Sequence, residues 1–393
     1  MRLTMQVYSS LAYSVGESSL RSLVDIFAHR GALTRDQLVE ETGWARSTVS
    51  RAITTLIDSD FLVEHPAAPS GGRGRPSMAV ALNPSFGVAV GLDFGYRHVR
   101  GVLADASHRV RSRVERTLPV DYTPEQGLAG ARAVLDELMA ESNVEHRHVL
   151  GVAAAIPAPV DLASGAVSVS SMLPTWDGVD VRGRLSDAMG SDVAIDNDSK
   201  MAAYGELRWG SARNLRDFLY FKLHSGVGGA AVVNGELVHG HTGAAGHFGH
   251  ISVELQGEIC RCGSRGCLEV FAGIPAILEA ITSVHGRISL QDFFALLTNG
   301  DPACVRVFHD AALRVGQVAG MMCNALNPEA VMIGGALSSA FDLLTPHVRA
   351  GLVSNAQSAN HNVAFLRGSL GHHASAMGAL GIALNTGVVR ALS

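Results

Sequence analysis

Residues 249–267 read GHISVELQGEICRCGSRGC and gather the side chains best suited to chemistry in this chain. Three of its five cysteines, Cys260, Cys262 and Cys267, share one turn-rich segment. Gly263 and Gly266 let that backbone fold tightly. Three thiolates and one imidazole satisfy tetrahedral zinc, and His250, at the end of GAAGHFGH, supplies the imidazole. A set closed by four protein ligands leaves no position for water, so the expected metal is structural Zn2+, one per chain. The alternative is three buried free thiols, but clustered cysteines inside a cell more often hold metal than pair as disulfides. Cys304 and Cys323 lie in apolar helical surroundings and read as core.

A second set of candidate side chains lies near the N-terminus. LRSLVDIFAHRG reads as a short amphipathic helix ended by Gly31. Thr34 and Gln37 form a capping-box pattern that opens a second helix, stopped by Gly43. In WARSTVSRAITTLIDSDFLVE, Val49, Ile53, Leu56 and Ile57 fall on one helical face, while Arg46, Ser47, Thr48, Ser50 and Arg51 fall on the other. Two helices joined by a tight glycine turn, the second opening with small polar residues and arginines, make a helix-turn-helix. Such side chains reach base edges and phosphates in a major groove. The following segment, to about residue 83, reads as a β-hairpin wing with residues 71–76 at its tip. Arg73 and Arg75 there resemble arginines inserted into a narrow minor groove. Eight arginines in residues 1–83 are balanced by eight acidic residues, so affinity for double-stranded DNA would rest on placement and dimerisation.

The 393 residues carry a formal net charge of −5, which by itself does not suggest nucleic-acid binding. Lysine occurs only at Lys200 and Lys222. No apolar run is long and uniform enough to span a membrane, and MRLTMQVYSSLAYS lacks a signal pattern, so the expected location is cytoplasmic with no membrane partner. From about residue 86, apolar strands alternate with helical stretches, which implies an α/β core around a central sheet. FGVAVGLDFGYRHVRGVLAD reads as two strands joined at Asp93-Phe94-Gly95, and DVAIDNDSKMAAYGELRWG as a strand, a polar turn and a helix.

Seven motifs then line up: GLDFG around Asp93, IPAPVD at 156–161, DNDSKMAAYGE at 196–206, SGVGGA at 225–230, GHFGH at 246–250, CRCGSRGCLE at 260–269 and NPEAVMIGG at 327–335. In this order the chain resembles the ROK family of repressors and sugar kinases, in its repressor branch. The cysteine segment is the specific one; the others are weak singly. The resemblance implies an α/β chain: an N-terminal winged helix-turn-helix DNA-binding domain over 1–83, then a two-lobed actin-like ATPase (sugar kinase-like) fold over 84–393. Lobe 1 would span about 84–200 plus the C-terminal helix, and lobe 2 about 201–375, with the zinc knuckle at 250–267.

The resemblance also implies an interlobe cleft in which Asn197, Asp198, His247, His250 and Glu269 contact a small carbohydrate-like effector. Asp198 matches the aspartate that serves as general base in the family's kinases. It also suits capping of a helix beginning near Ser199. Other positions depart from the family's pattern. Tyr96, Arg97 and His98 follow Asp93-Phe94-Gly95 where a Gly-Thr pair meets phosphate, and the second phosphate loop reads HSGVGGA at 224–230. His247 stands for a glutamate, Ala158 for a glycine, Lys200 for an asparagine and Met172 for a residue that is often asparagine. ATP binding and catalysis are therefore not expected. The reading is a zinc-stabilised transcriptional repressor acting on a DNA operator as a homodimer or homotetramer. The alternative is an ATP-dependent sugar kinase carrying a DNA-binding arm.

Overall fold

The N-terminal unit is built from local signals. In the computed structural model, which describes residues 17–66, 78–168 and 173–392, helix α1 (Glu17–Arg30) ends at Gly31, whose φ is 73°. Strand β1 (Leu33–Thr34) leads into α2 (Arg35–Thr42), with the reciprocal Thr34–Gln37 capping box formed and a left-handed Gly43 at its end. Helix α3 (Arg46–Asp58) buries Val49, Ala52, Ile53 and Leu56, while Ile57 is half-buried. They pack with Leu23, Val24, Phe27 and Leu38. Strands β2 (Leu62–Pro66) and β3 (Met78–Leu82) pair antiparallel from Leu62↔Leu82 to Pro66↔Met78 as the arms of a hairpin. Its tip, with Arg73 and Arg75, lies outside the described residues, as does Met172.

Two five-stranded sheets follow, and they share one plan. The first runs β6-β5-β4-β7-β8, from β4 (Val88–Gly95), β5 (His98–Asp105), β6 (Val110–Thr117), β7 (Val149–Ile156) and β8 (Val193–Asn197). An antiparallel meander, β4 to β6, continues into parallel β7 and β8. Helix α4 (Pro124–Ser142) covers it, burying Ala131, Val134, Leu135 and Leu138. The second runs β11-β10-β9-β12-β13, from β9 (Phe218–Leu223), β10 (Val227–Val233), β11 (Glu236–Leu237), β12 (Ala330–Gly334) and β13 (Ala364–Arg367). Again three antiparallel strands are extended by two parallel ones.

Two expectations change. The β4–β5 turn is Tyr96–Arg97; Asp93, Phe94 and Gly95 still belong to the strand, and Asp93 pairs with Arg100. No polar turn separates β8 from α5 (Asp198–Trp209): the helix starts directly after the strand. A short polar residue that bonds the following amide can end a strand and cap a helix in one step, and Asn197 does both.

Helices α6 (Pro302–Leu326) and α7 (Phe341–Asn355) cross closely beside the second sheet; a Cβ on Gly316 would lie 2.0 Å from the Val348 carbonyl oxygen. The C-terminal helix α8 (Ala374–Leu392) lays Ala376, Ala379, Leu380 and Ala383 on Ala89, Ala153 and Ala155 of the first sheet. Gly91 makes this approach feasible, since a Cβ there would sit 2.1 Å from the Ala376 carbonyl oxygen. The segment Gly371–Leu392 is long and apolar enough to cross a membrane by composition, but its apolar window is 71% buried inside the protein. Further along α8, Val388 and Leu392 join the core of the N-terminal unit.

Candidate ligand cleft and metal centre

The ends of these strands and helices meet around a cleft of about 610 Å³. Asp93 to His98 come from the β4–β5 end, and Pro157 to Pro159 follow β7. Asn197 and Asp198 open α5, and residues 224–229 form the β9–β10 hairpin. His247, His250 and Glu269 complete one wall; Gly335, Ala336, Ser338, Ser339 and Ser375 complete another. All five candidate effector residues, Asn197, Asp198, His247, His250 and Glu269, thus line a single cavity.

Asn197, rather than Asp198, caps α5: its Oδ1 accepts from the Ser199 amide at 3.0 Å, and its Nδ2 donates to the Ala158 carbonyl at 3.1 Å. Asp198 is the first helical residue, and its carboxylate is engaged by Lys222, whose Nζ donates to Oδ2 at 2.6 Å. Lys222 also donates to Ser375 Oγ at 2.9 Å, and Ser375 donates in turn to the Asp198 carbonyl. Burial by itself would lower the Lys222 pKa, but the Asp198 and Asp93 carboxylates outweigh it and hold the pKa above its ordinary value. Lys222 therefore stays charged and ties up the Asp198 carboxylate.

Lys200 does not face the cleft. Its side chain, 1% exposed, pairs with Asp196 at 3.3 Å and donates to the Gly243 carbonyl. A lysine one residue after Ser199 on α5 points to the helix's buried side, where only a nearby carboxylate makes its charge tolerable.

Glu269 accepts from the Val227 amide at 2.9 Å and from Arg261 Nε at 2.7 Å. Arg261 stands between Cys260 and Cys262, so the cysteine segment itself contributes a cation to the cleft. His247 is kept below the ordinary histidine pKa, first by burial and then by His250, and its Nε2 is buried without a hydrogen-bond partner. Lys222 and Arg261 were not singled out from sequence as cleft residues. One signal existed: Lys222 is one of two lysines in the chain.

The His250, Cys260, Cys262 and Cys267 ligand atoms all lie within 4.8 Å of one another and could hold a metal ion. Cys260 Sγ is 3.6 Å from His250 Nδ1, and Cys262 Sγ is 3.7 Å from Cys267 Sγ. Gly266 is required by the turn: its φ is 59°, and a Cβ there would meet the Glu254 carbonyl oxygen at 1.7 Å. Burial pushes the Cys267 thiol up to about 12, so a metal entering here must displace a proton. Cys304 and Cys323 are fully buried, in the second sheet's core.

On the N-terminal unit, Arg46, Ser47, Ser50 and Arg51 are exposed along one face of α3 and Thr48 is half-buried. Arg46 reaches Asp36 at 3.2 Å. Arg208, late in α5, pairs with Asp25 of α1 at 2.5 Å and so joins this unit to the rest.

The ROK family profile matches residues 89–386, three quarters of the chain. The chain belongs to the ROK family. An IclR helix-turn-helix domain profile matches residues 22–66, so this ROK protein carries a helix-turn-helix ahead of its family domain. The xylose repressor of Bacillus subtilis (strain 168) is 25% identical over 354 residues, covering 90% of this chain and 91% of that protein. A solved ROK family transcriptional regulator, described as a homolog of the E. coli MLC protein, superposes with a TM-score of 0.79 at 22% identity, covering 94% of this chain and 98% of that one. A ROK family glucokinase from Streptomyces griseus, solved with glucose and AMPPNP, gives 0.66 at 24% identity, covering 76% of this chain and 99% of that one. Both structures establish the fold, an actin-like kinase fold. The kinase leaves about a quarter of this ROK chain uncovered.

Proposed function

We propose that the chain is a DNA-binding transcriptional repressor whose interlobe cleft takes a small carbohydrate-like effector, and that it acts as a homodimer or homotetramer. The observation that carries this reading is the helix-turn-helix with its exposed Arg46, Ser47, Ser50 and Arg51, in a chain of which 90% is similar to a xylose repressor. The domain division expected from sequence, 1–83 and 84–393, is retained in this proposal. Arg73 and Arg75 would act from the wing, in the minor groove.

The fold supplies a route from cleft to DNA. Helix α5 opens in the cleft with Asp198 and ends near Arg208, which holds α1. Helix α8 opens with Ser375 at the cleft and ends with Val388 and Leu392 among α1 residues. An effector shifts DNA affinity only if it binds the DNA-competent and incompetent states differently. A ligand that moves the N-termini of α5 and α8 would meet that condition, because the same two helices carry the DNA-binding unit.

We further propose that His250, Cys260, Cys262 and Cys267 hold one structural zinc. Tetrahedral zinc with Zn–S of about 2.3 Å has S–S edges of about 3.75 Å and N–S edges of about 3.6 Å. The observed 3.7 Å and 3.6 Å fit that ion. Binding through Nδ1 leaves His250 Nε2 for the effector, so the metal would orient a cleft ligand through one of its own. Against the sugar-kinase alternative, Lys222 occupies the Asp198 carboxylate at 2.6 Å, and Tyr96 and Arg97 stand at the first phosphate turn. Mapping of bound DNA across the genome of cells carrying the chain should give discrete sites with paired half-sites. Uniform background occupancy would sink the repressor reading.

A further inference from the structure

A second group of ligating side chains stands apart from the cleft and from the cysteine segment. His285 ends the short helix Thr282–His285, Asp301 is the N-cap of α6, and Cys304 lies in the first turn of that helix. Their ligand atoms, one from each residue, all lie within 4.8 Å of one another and could hold a metal ion. His285 Nε2 is 3.1 Å from Asp301 Oδ1. Local structure brings the three together. Residues three apart are neighbours on one helix face, which sets Cys304 beside Asp301. The chain leaves His285 at Gly286, with φ 68°, forms the helix Leu290–Thr298 and returns at Gly300, with φ 78°. Phe293 and Leu297 of that helix are buried in the same core as Cys304, which fixes the excursion.

Helix capping alone does not account for this set. Asp301 Oδ1 accepts from the Ala303 amide at 3.1 Å and from the Cys304 amide at 3.0 Å, and these bonds satisfy the helix end. A cap needs neither an imidazole nor a thiol, and Oδ2 takes no part in it. The Cys304 amide, above all, holds the Asp301 carboxyl below the usual carboxylate range, so it is ionised. Burial, and then Asp301, push the Cys304 thiol up to about 11. A divalent cation entering here would displace the thiol proton to solvent, and a sulfur–metal bond would replace the S–H bond.

The donors select the ion. Calcium and magnesium take oxygen ligands, whereas thiolate and imidazole suit zinc. Tetrahedral zinc with Zn–N and Zn–O of about 2.0–2.1 Å has N–O edges of about 3.3–3.4 Å. The 3.1 Å between His285 and Asp301 needs only a small side-chain shift to meet that edge. We propose that His285, Asp301 and Cys304 form a second zinc site, separate from the cysteine segment, with its fourth coordination position left to water. Three protein ligands in place of four make it the weaker site, filled only while Zn2+ is supplied. His285 and Asp301 are 16 positions apart, so an ion bonded to both clasps the excursion that lays the helix Leu290–Thr298 on the core.

Equilibrium dialysis of the full chain against Zn2+, read by elemental analysis, tests it. Wild type should take up one ion more than His285→Ala. Cys262→Ser should still take up that ion, which separates this site from the cysteine segment. His285 stands at a helix end, and Asp301 keeps its cap without it, so His285→Ala should stay folded by circular dichroism. Its affinity for the added ion should fall at least about tenfold. Co2+ provides the second arm: the sulfur-to-cobalt absorption gained with the second equivalent should be lost in Cys304→Ser, which changes one atom. Hydrogen exchange of residues 286–300 should slow on zinc loading in wild type and not in His285→Ala. Equal zinc uptake by wild type and His285→Ala, or a cobalt absorption unchanged in Cys304→Ser, would overturn the proposal.

Discussion

Asp25→Ala should loosen the N-terminal unit from the rest of the protein. The Arg208 side chain is 8% exposed, and its Nη2 lies 2.5 Å from Asp25 Oδ1, whose side chain is 40% exposed. Breaking a fully buried ion pair from one side costs about 3–5 kcal/mol, because the remaining charge is stranded. Here one partner reaches water, which screens the attraction, so about 1–3 kcal/mol is the expected loss for Asp25→Ala. Arg208 also lies over the Tyr204 ring at 5.9 Å, near the limit of a useful cation–π contact, so little of its role is independent of Asp25. Arg208→Ala and the double variant complete the cycle, read as urea midpoints of the full chain. The coupling between the two sites should be on the order of 1–2 kcal/mol. Effects that add within about 0.3–0.5 kcal/mol would refute the assignment of this pair as a link between units.

The metal site predicts one zinc per chain by elemental analysis and well under one in Cys262→Ser, with lower stability of residues 249–267, since binding energy there is folding energy. A metal-free wild type as stable as the metal-bound form would contradict it. His108, packed against Trp209 with ring centroids 6.1 Å apart, is held down to about 3, first by burial and then by Arg208 and His29. The folded state keeps it neutral while the unfolded chain protonates below about 6.5, so stability falls with falling pH between those values. That contribution amounts to about 2–3 kcal/mol between about pH 6.5 and about pH 4.5. His108→Asn, which tolerates the left-handed φ of 67°, should flatten the slope by a comparable amount, and an unchanged slope would remove the burial argument. Incubation with ATP and glucose, N-acetylglucosamine, mannose or fructose should yield no sugar phosphate. Phosphorylation abolished by Asp198→Asn would restore the kinase alternative.

What was legible in the sequence was local. Thr34, Gln37 and Gly43 announced the helix boundaries of the N-terminal unit, since capping acts within four residues. The cysteine spacing announced a cluster because its four residues lie within eighteen positions. Asp93-Phe94-Gly95 was misread because a glycine after an acidic residue imitates a turn; pairing with Arg100 on the next strand carries it on as strand. Lys200 and Lys222 show the larger gap. One is buried on the far side of α5 and the other enters the cleft, and only the partners decide which: Asp196 for the first, Asp198 for the second. The Arg208–Asp25 pair, 183 residues apart, left no local trace. The shared plan of the two sheets is likewise a matter of strand order, invisible to periodicity.

The central claim is that this ROK protein reads DNA through α3. Its most direct test is the ratio of affinities of the purified full chain for a genome-mapped site and for a scrambled duplex of equal length, at physiological salt. A specific regulator gives a ratio of roughly 10³ or more, and Arg46→Ala/Arg51→Ala should bring it down by at least about tenfold. A ratio near one, unchanged in the double variant, would contradict the account.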